Sequence, residues 1–157
     1  MQLTGVKSIP VNWLSGCCQM VKREVIEQVG GMNSSLRFYN EDVEWCWRIR
    51  KAGWYCDMVR SEVTHLGGSS TPHDPKFLIE GYRGGYLLSQ RYKPRWYQTM
   101  HKRFVQTEVF YQSRFSKDET KRSTYKTIAT MLSESKINES PFGITLNSTN
   151  SKFPFSS

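Results

Sequence analysis

The sequence predicts an α/β chain whose first part interleaves short strands with helices and whose second part is helical. Three observations lead there. An apolar run follows Pro10 and passes into a helical spacing. Two further short apolar runs, 54–59 and 63–66, follow a charged amphipathic stretch. Residues 77–132 then read as successive helices.

The first element is a buried strand within residues 11–21, where Trp13, Leu14, Cys17, Cys18, Met20 and Val21 dominate. A helix follows, with Val21, Val25 and Val29 at spacings of four, and Gly30-Gly31 closes it as a C-terminal glycine cap. Residues 32–39 read as an irregular loop. A second helix covers 41–52 with Asn40 as its N-cap. Glu41, Asp42 and Glu44 stand at its start and Arg48, Arg50 and Lys51 at its end, an order that complements the helix dipole. Val43, Cys46 and Trp47 share one face, and Arg48 reads as a surface or ion-pair residue. Strands at 54–59 and 63–66 precede a flexible Gly/Ser loop at 67–72. Helices are expected at 77–92, despite Gly81, Gly84 and Gly85, at 96–115 and at 124–132. From 133 on, Ser, Asn, Lys and Pro predict a disordered tail.

Composition narrows the function classes. The chain has 157 residues, 38% hydrophobic and 23% charged, which is globular. No apolar run approaches the roughly 18 residues of a membrane span, and the N-terminus lacks a signal-peptide pattern. The four cysteines form no C-x-x-C pair and read as reduced, structural and buried, which favours the cytoplasm. All of the net charge of +8 lies in residues 76–126, with twelve Lys/Arg against four Asp/Glu; the remainder balances at ten of each. Tyr and Phe interleave with that charge, which would draw the segment to an anionic lipid surface or to nucleic acid. No helix-turn-helix, zinc spacing or RNA-binding signature supports a specific nucleic acid.

The order Trp13-x-x-Gly16, Lys22-Arg23, Gly30-Gly31, Tyr39-x-Glu41-Asp42-x-Glu44, Arg48, Gly53 and His65-Leu66-Gly67-Gly68 resembles the C-terminal, acceptor-side half of family 2 glycosyltransferases, in the rhamnosyltransferase-like branch. The resemblance covers residues 11 to about 95. Met32-Asn33 stands where the family has Phe-Asp, and Glu44 where it has Asp. It implies a partial GT-A fold: a short mixed sheet flanked by helices, with a C-terminal helical extension. On this reading 1–95 is the C-terminal half of the transferase domain, 96–132 a basic aromatic helical extension and 133–157 the tail. The family's nucleotide-binding half ends in an Asp-x-Asp motif that this chain lacks, so the chain is expected to be a fragment, inactive alone.

The resemblance also implies an activity. A sugar would pass, with inversion, from a nucleotide-sugar donor to a glycan or lipid-linked acceptor. Asp42 is then the general base, with Glu41 orienting it or binding acceptor hydroxyls. Trp13 would stack on a sugar ring, Gly16 would let the acceptor approach the backbone, and Glu44 would bind substrate. His65 would be a ligand to a divalent cation (Mg²⁺ or Mn²⁺), held only together with the Asp-x-Asp half. The basic segment 76–126 would touch the inner face of the membrane peripherally. The alternative is a non-catalytic remnant that binds a saccharide or a partner chain.

Overall fold

The computed structural model describes residues 7–66, 74–134 and 136–143. Its contacts divide the chain into two compact units. Residues 1–34 with 41–70 form one, and 35–40 with 71–157 the other.

The first unit is mixed α/β. Strand β1 (Ser8–Val11) pairs antiparallel with β2 (Cys56–Val59), Ser8 opposite Val59 and Val11 opposite Cys56. Helices α1 (Arg23–Val29) and α2 (Glu41–Lys51) lie between them in sequence. Among the described residues the sheet has these two antiparallel strands, rather than the short mixed sheet expected.

The buried strand expected at 11–21 is also absent. Residues 12–22 are irregular, because Leu14 and Val21 turn onto a helical core of Val25, Val29, Trp45, Cys46 and Ile49 instead of building a ladder. The strand expected at 63–66 does not form. The Ser61 N–H bonds back to the Val59 carbonyl at 3.0 Å, so the chain turns as β2 ends. Residues 60–66 run on exposed, without strand pairing. The Gly/Ser loop expected at 67–72 lies outside the described residues. Cys46 and Cys56 are buried as expected, but Cys17 and Cys18 are exposed near a turn; all four are free thiols.

One side chain organises the helices of this unit. Arg48, expected at the surface or in an ion pair, is buried and paired: its Nε lies 2.9 Å from both oxygens of Glu44. Its two terminal nitrogens donate to the carbonyls of Val29 and Gly31, and Trp45 Nε1 donates to the Gly30 carbonyl at 2.9 Å. Three carbonyls at the end of α1, where a helix leaves such groups without partners, are thus satisfied by side chains of α2. Gly30 caps α1 as expected, its N–H bonded to the Ile26 carbonyl, with a positive φ of 77° that glycine adopts without strain. The buried face of α2 is broader than the Val43–Cys46–Trp47 face expected, and runs through Glu44, Trp45, Cys46, Arg48 and Ile49.

The second unit is helical. Helices α3 (Pro75–Tyr92), α4 (Arg95–Phe115) and α5 (Glu119–Ser133) pack around Val105, Val109, Ile128 and Met131. Asp74 caps α3 by accepting from the Lys76 N–H, and Pro75 occupies its first position. Helix α5 starts five residues before its expected start, capped by Asp118, which accepts from the Thr120 and Lys121 N–H groups. Helix α3, expected with residues 1–95, belongs to this helical unit.

The segment Ser35–Asn40 is laid against α3. Tyr39 and Asn40 have positive φ of 63° and 70°, so Asn40 lacks the extended backbone of an N-cap; its amide donates to the Gly81 carbonyl at 3.1 Å. A Cβ on Gly84 would stand 2.9 Å from Asn40 Nδ2 and 3.3 Å from the Tyr39 carbonyl. That close approach is why a helix carries glycine there.

Part of the expected tail is folded. A short 3₁₀ turn at Lys136–Asn138 leads to Ser140, whose hydroxyl donates to Glu80 Oε2 at 2.8 Å. Phe142 joins Phe38 and Phe77 in a cluster with centroids 4.6–5.3 Å apart.

Candidate functional site

The sequence-predicted residues that the fold brings together are Gly16 and Asp42. Asp42 stands in the first turn of α2, half-buried. Its Oδ2 accepts from the Gly16 N–H at 2.9 Å and its Oδ1 from the Val43 N–H at 2.8 Å. One turn further along α2, Cys46 Sγ accepts from the Leu14 N–H at 3.4 Å. Two residues of an irregular segment thus match one turn of helix. Four helical residues rise about 6 Å, close to the span of two residues of extended chain. Gln19 Nε2 reinforces the loop by donating to the Leu14 carbonyl at 2.6 Å.

This arrangement fixes a carboxylate at a helix N-terminus, where backbone N–H groups and the helix dipole both favour negative charge. Each carboxylate oxygen has two lone pairs, so one acceptor site per oxygen is left after these bonds. Gly16 is exposed, and an added Cβ would come no closer than 3.5 Å to Asp42, an ordinary contact. Packing in this unit does not demand glycine there. Trp13, three residues earlier, is 49% exposed, so its ring is not committed to the core.

The remaining expected residues fall elsewhere. Glu41 begins α2 and is half-buried. Glu44, expected to bind substrate, is fully buried and bonded through both oxygens to Arg48, a position that braces α1 against α2. His65 is exposed and follows no strand. Among the described residues no group of three His, Cys, Asp or Glu side chains gathers to hold a metal ion. Cys56 sits near Cys46; burial, then the Cys46 thiol, pushes it from 9.0 up to about 11.

The sequence did not reveal the Leu14 to Cys46 and Gln19 anchors. A helix position four residues from Asp42, facing a chain position two from Gly16, is their only trace in the sequence.

Comparison with known proteins adds partial homology. The N-acetylglucosaminyl-diphospho-decaprenol L-rhamnosyltransferase of Mycobacterium tuberculosis, from two strains, is 40% identical over 90 residues, 55% of this chain and 29% of that protein. The low-salt glycan biosynthesis hexosyltransferase of Haloferax volcanii is 40% identical over 42 residues, 27% of this chain and 14% of that protein. The chain thus spans less than a third of the length of the curated relatives it matches. No family model matches it, and no solved structure does.

Proposed function

We propose that this chain is the acceptor-side part of an inverting, family 2 type glycosyltransferase of GT-A fold, with Asp42 as its general base. The observation that carries the reading is the 2.9 Å bond from the Gly16 N–H to Asp42 Oδ2. It joins two separate parts of the sequence pattern at one exposed spot, beside a residue whose smallness the packing does not require. The partial homology to two sugar transferases supports the same reading.

In this mechanism an acceptor hydroxyl lies against Gly16, and a spare lone pair of Asp42 takes its proton. The acceptor oxygen forms its bond to the anomeric carbon of the nucleotide-sugar. The bond from that carbon to the diphosphate oxygen breaks, and its electron pair leaves with the nucleoside diphosphate. Glu41 orients the acceptor, and Trp13 offers a face for a sugar ring to stack on. The donor is bound by residues other than those described, and a glycan or lipid-linked alcohol is the acceptor.

One observation favours a second reading, a saccharide- or partner-binding module without catalysis. Both Asp42 oxygens already accept backbone N–H groups, as a purely structural aspartate would.

Complementing the chain with the donor-binding half of a related transferase separates the two. The enzyme reading expects nucleotide-sugar turnover, reduced about 10²- to 10⁴-fold by Asp42→Asn with donor affinity unchanged. Turnover by Asp42→Asn at the wild-type rate refutes the base. Saccharide binding without any turnover establishes the module.

A further inference from the structure

Helix α4 has two apolar faces, and the core of its unit uses one. Val105 and Val109 point inward. Trp96, Met100, Phe104, Tyr111 and Phe115 are 59–70% exposed. At about 100° per residue these five fall within an arc of about 100°. Their spacings, four, four, seven and four, keep that register over the whole helix. Scattered exposed apolar residues need no explanation, but a continuous aromatic stripe of this length marks a contact surface.

The charge around the stripe says what it contacts. Arg103 and Arg114 fall at or beside the Trp96 edge of the same arc, and among the described residues neither sits in an ion pair. The single acidic residue of α4, Glu108, lies about 20° beyond the Phe115 edge, opposite the arginines, and is half-buried against the Tyr82 hydroxyl. The unit's other carboxylates near it in sequence are also engaged. Glu80 is buried with Arg83, Asp118 caps α5, and Glu119 pairs with Arg122.

We propose that this face of α4 is a membrane-docking surface that lies in the interface of an anionic bilayer. The aromatic side chains would sink to headgroup depth, and Arg103 and Arg114 would meet lipid phosphates. A protein partner would be served by the apolar stripe alone. The uncompensated cations select a surface of fixed negative charge, and the regular helical stripe suits a planar apolar boundary rather than bases to be stacked one by one. The inference is independent of the transferase reading.

The test is co-sedimentation of the full chain with phosphatidylcholine vesicles, with and without phosphatidylserine, alongside the Trp96 emission read as the difference between the full chain and its Trp96→Phe variant. Expected are binding to the anionic vesicles only, a blue shift of Trp96 and quenching by brominated lipid. Arg103→Glu with Arg114→Glu should weaken binding at least about 30-fold, and Phe104→Ser or Phe115→Ser about tenfold each. Far-UV circular dichroism of each variant should match the parent, since the altered side chains are exposed. Equal binding to neutral vesicles, or no binding to either, overturns the proposal. So does unchanged binding by the serine variants. Self-association lost in Phe104→Ser, or an oligonucleotide bound in place of vesicles, overturns it in favour of a second copy or a nucleic acid.

Discussion

Replacing Glu80 by glutamine should remove a large share of the stability of the helical unit. Glu80 and Arg83 are both fully buried, with Arg83 Nη1 2.8 Å from Glu80 Oε1. The same oxygen accepts from the Arg37 N–H at 3.2 Å, and the other from the Ser140 hydroxyl at 2.8 Å. Arg83 also donates through both terminal nitrogens to the Ser35 carbonyl, at 3.1 and 3.2 Å. One pair therefore ties α3 to the 35–40 segment and to the C-terminal turn. Burial pulls the Arg83 guanidinium below its ordinary value, and Glu80 opposes that shift. Glutamine keeps the shape and leaves a buried cation facing neutral groups. Breaking such a pair from one side costs about 3–5 kcal/mol. A unit of this size holds on the order of 5–10 kcal/mol in total. With a slope near 1.5 kcal/mol per molar, a loss of about 3 kcal/mol moves the urea midpoint down by about 2 M. Far-UV circular dichroism of the full chain reads it, because α3, α4 and α5 supply most of the helix. The double variant Glu80→Leu/Arg83→Met removes both charges and should recover part of the loss, since the Arg37 N–H, the Ser140 hydroxyl and the Ser35 carbonyl still lose these partners. A midpoint shift under about 0.3 M for Glu80→Gln would refute the reasoning, as would a double variant weaker than the single one.

Other outcomes follow from the same geometry. Gly84→Ala should destabilise by about 1–3 kcal/mol through its contact with Asn40, while Gly85→Ala, with nothing within 4 Å, should stabilise by about 0.5–1 kcal/mol in thermal melts. Arg48→Leu should cost about 3 kcal/mol, since it removes the charge partner of the buried Glu44 carboxylate and the donor to the Val29 and Gly31 carbonyls; a urea melt within error of wild type would count against the clamp. Cys56 gives a pH dependence. Its folded value of about 11 lies above the ordinary 9.0, so above pH 9 the unfolded chain releases a proton that the folded chain keeps. Its contribution is complete below about pH 9 and is lost by about pH 11, on the order of 2 kcal/mol. Cys56→Ala should flatten the stability profile over that window, and an unchanged slope would rule Cys56 out as its source.

What the sequence determined by itself is local. Helices α1 to α5 were legible because apolar spacing, and the glycine stops of α1 and α2, act within one element. Gly30 closes α1 as expected, and the acidic start and basic end of α2 are plain in the order of residues. The Glu44–Arg48 and Glu80–Arg83 pairs lie one turn apart, so the pairing is readable too, but not its burial. Tertiary structure decided the rest, because it depends on which distant groups fill each other's hydrogen bonds. Residues 11–21 look like a strand, yet a strand needs a neighbour, and here the chain found a helix to bind instead. Glu44 looked like a ligand for substrate until the carbonyls ending α1 required Arg48, and Arg48 required Glu44. Ser140 looked like tail until Glu80 offered a buried acceptor. Asp42 was singled out by pattern, but only folding set the Gly16 N–H, 26 positions away in sequence, against its carboxylate.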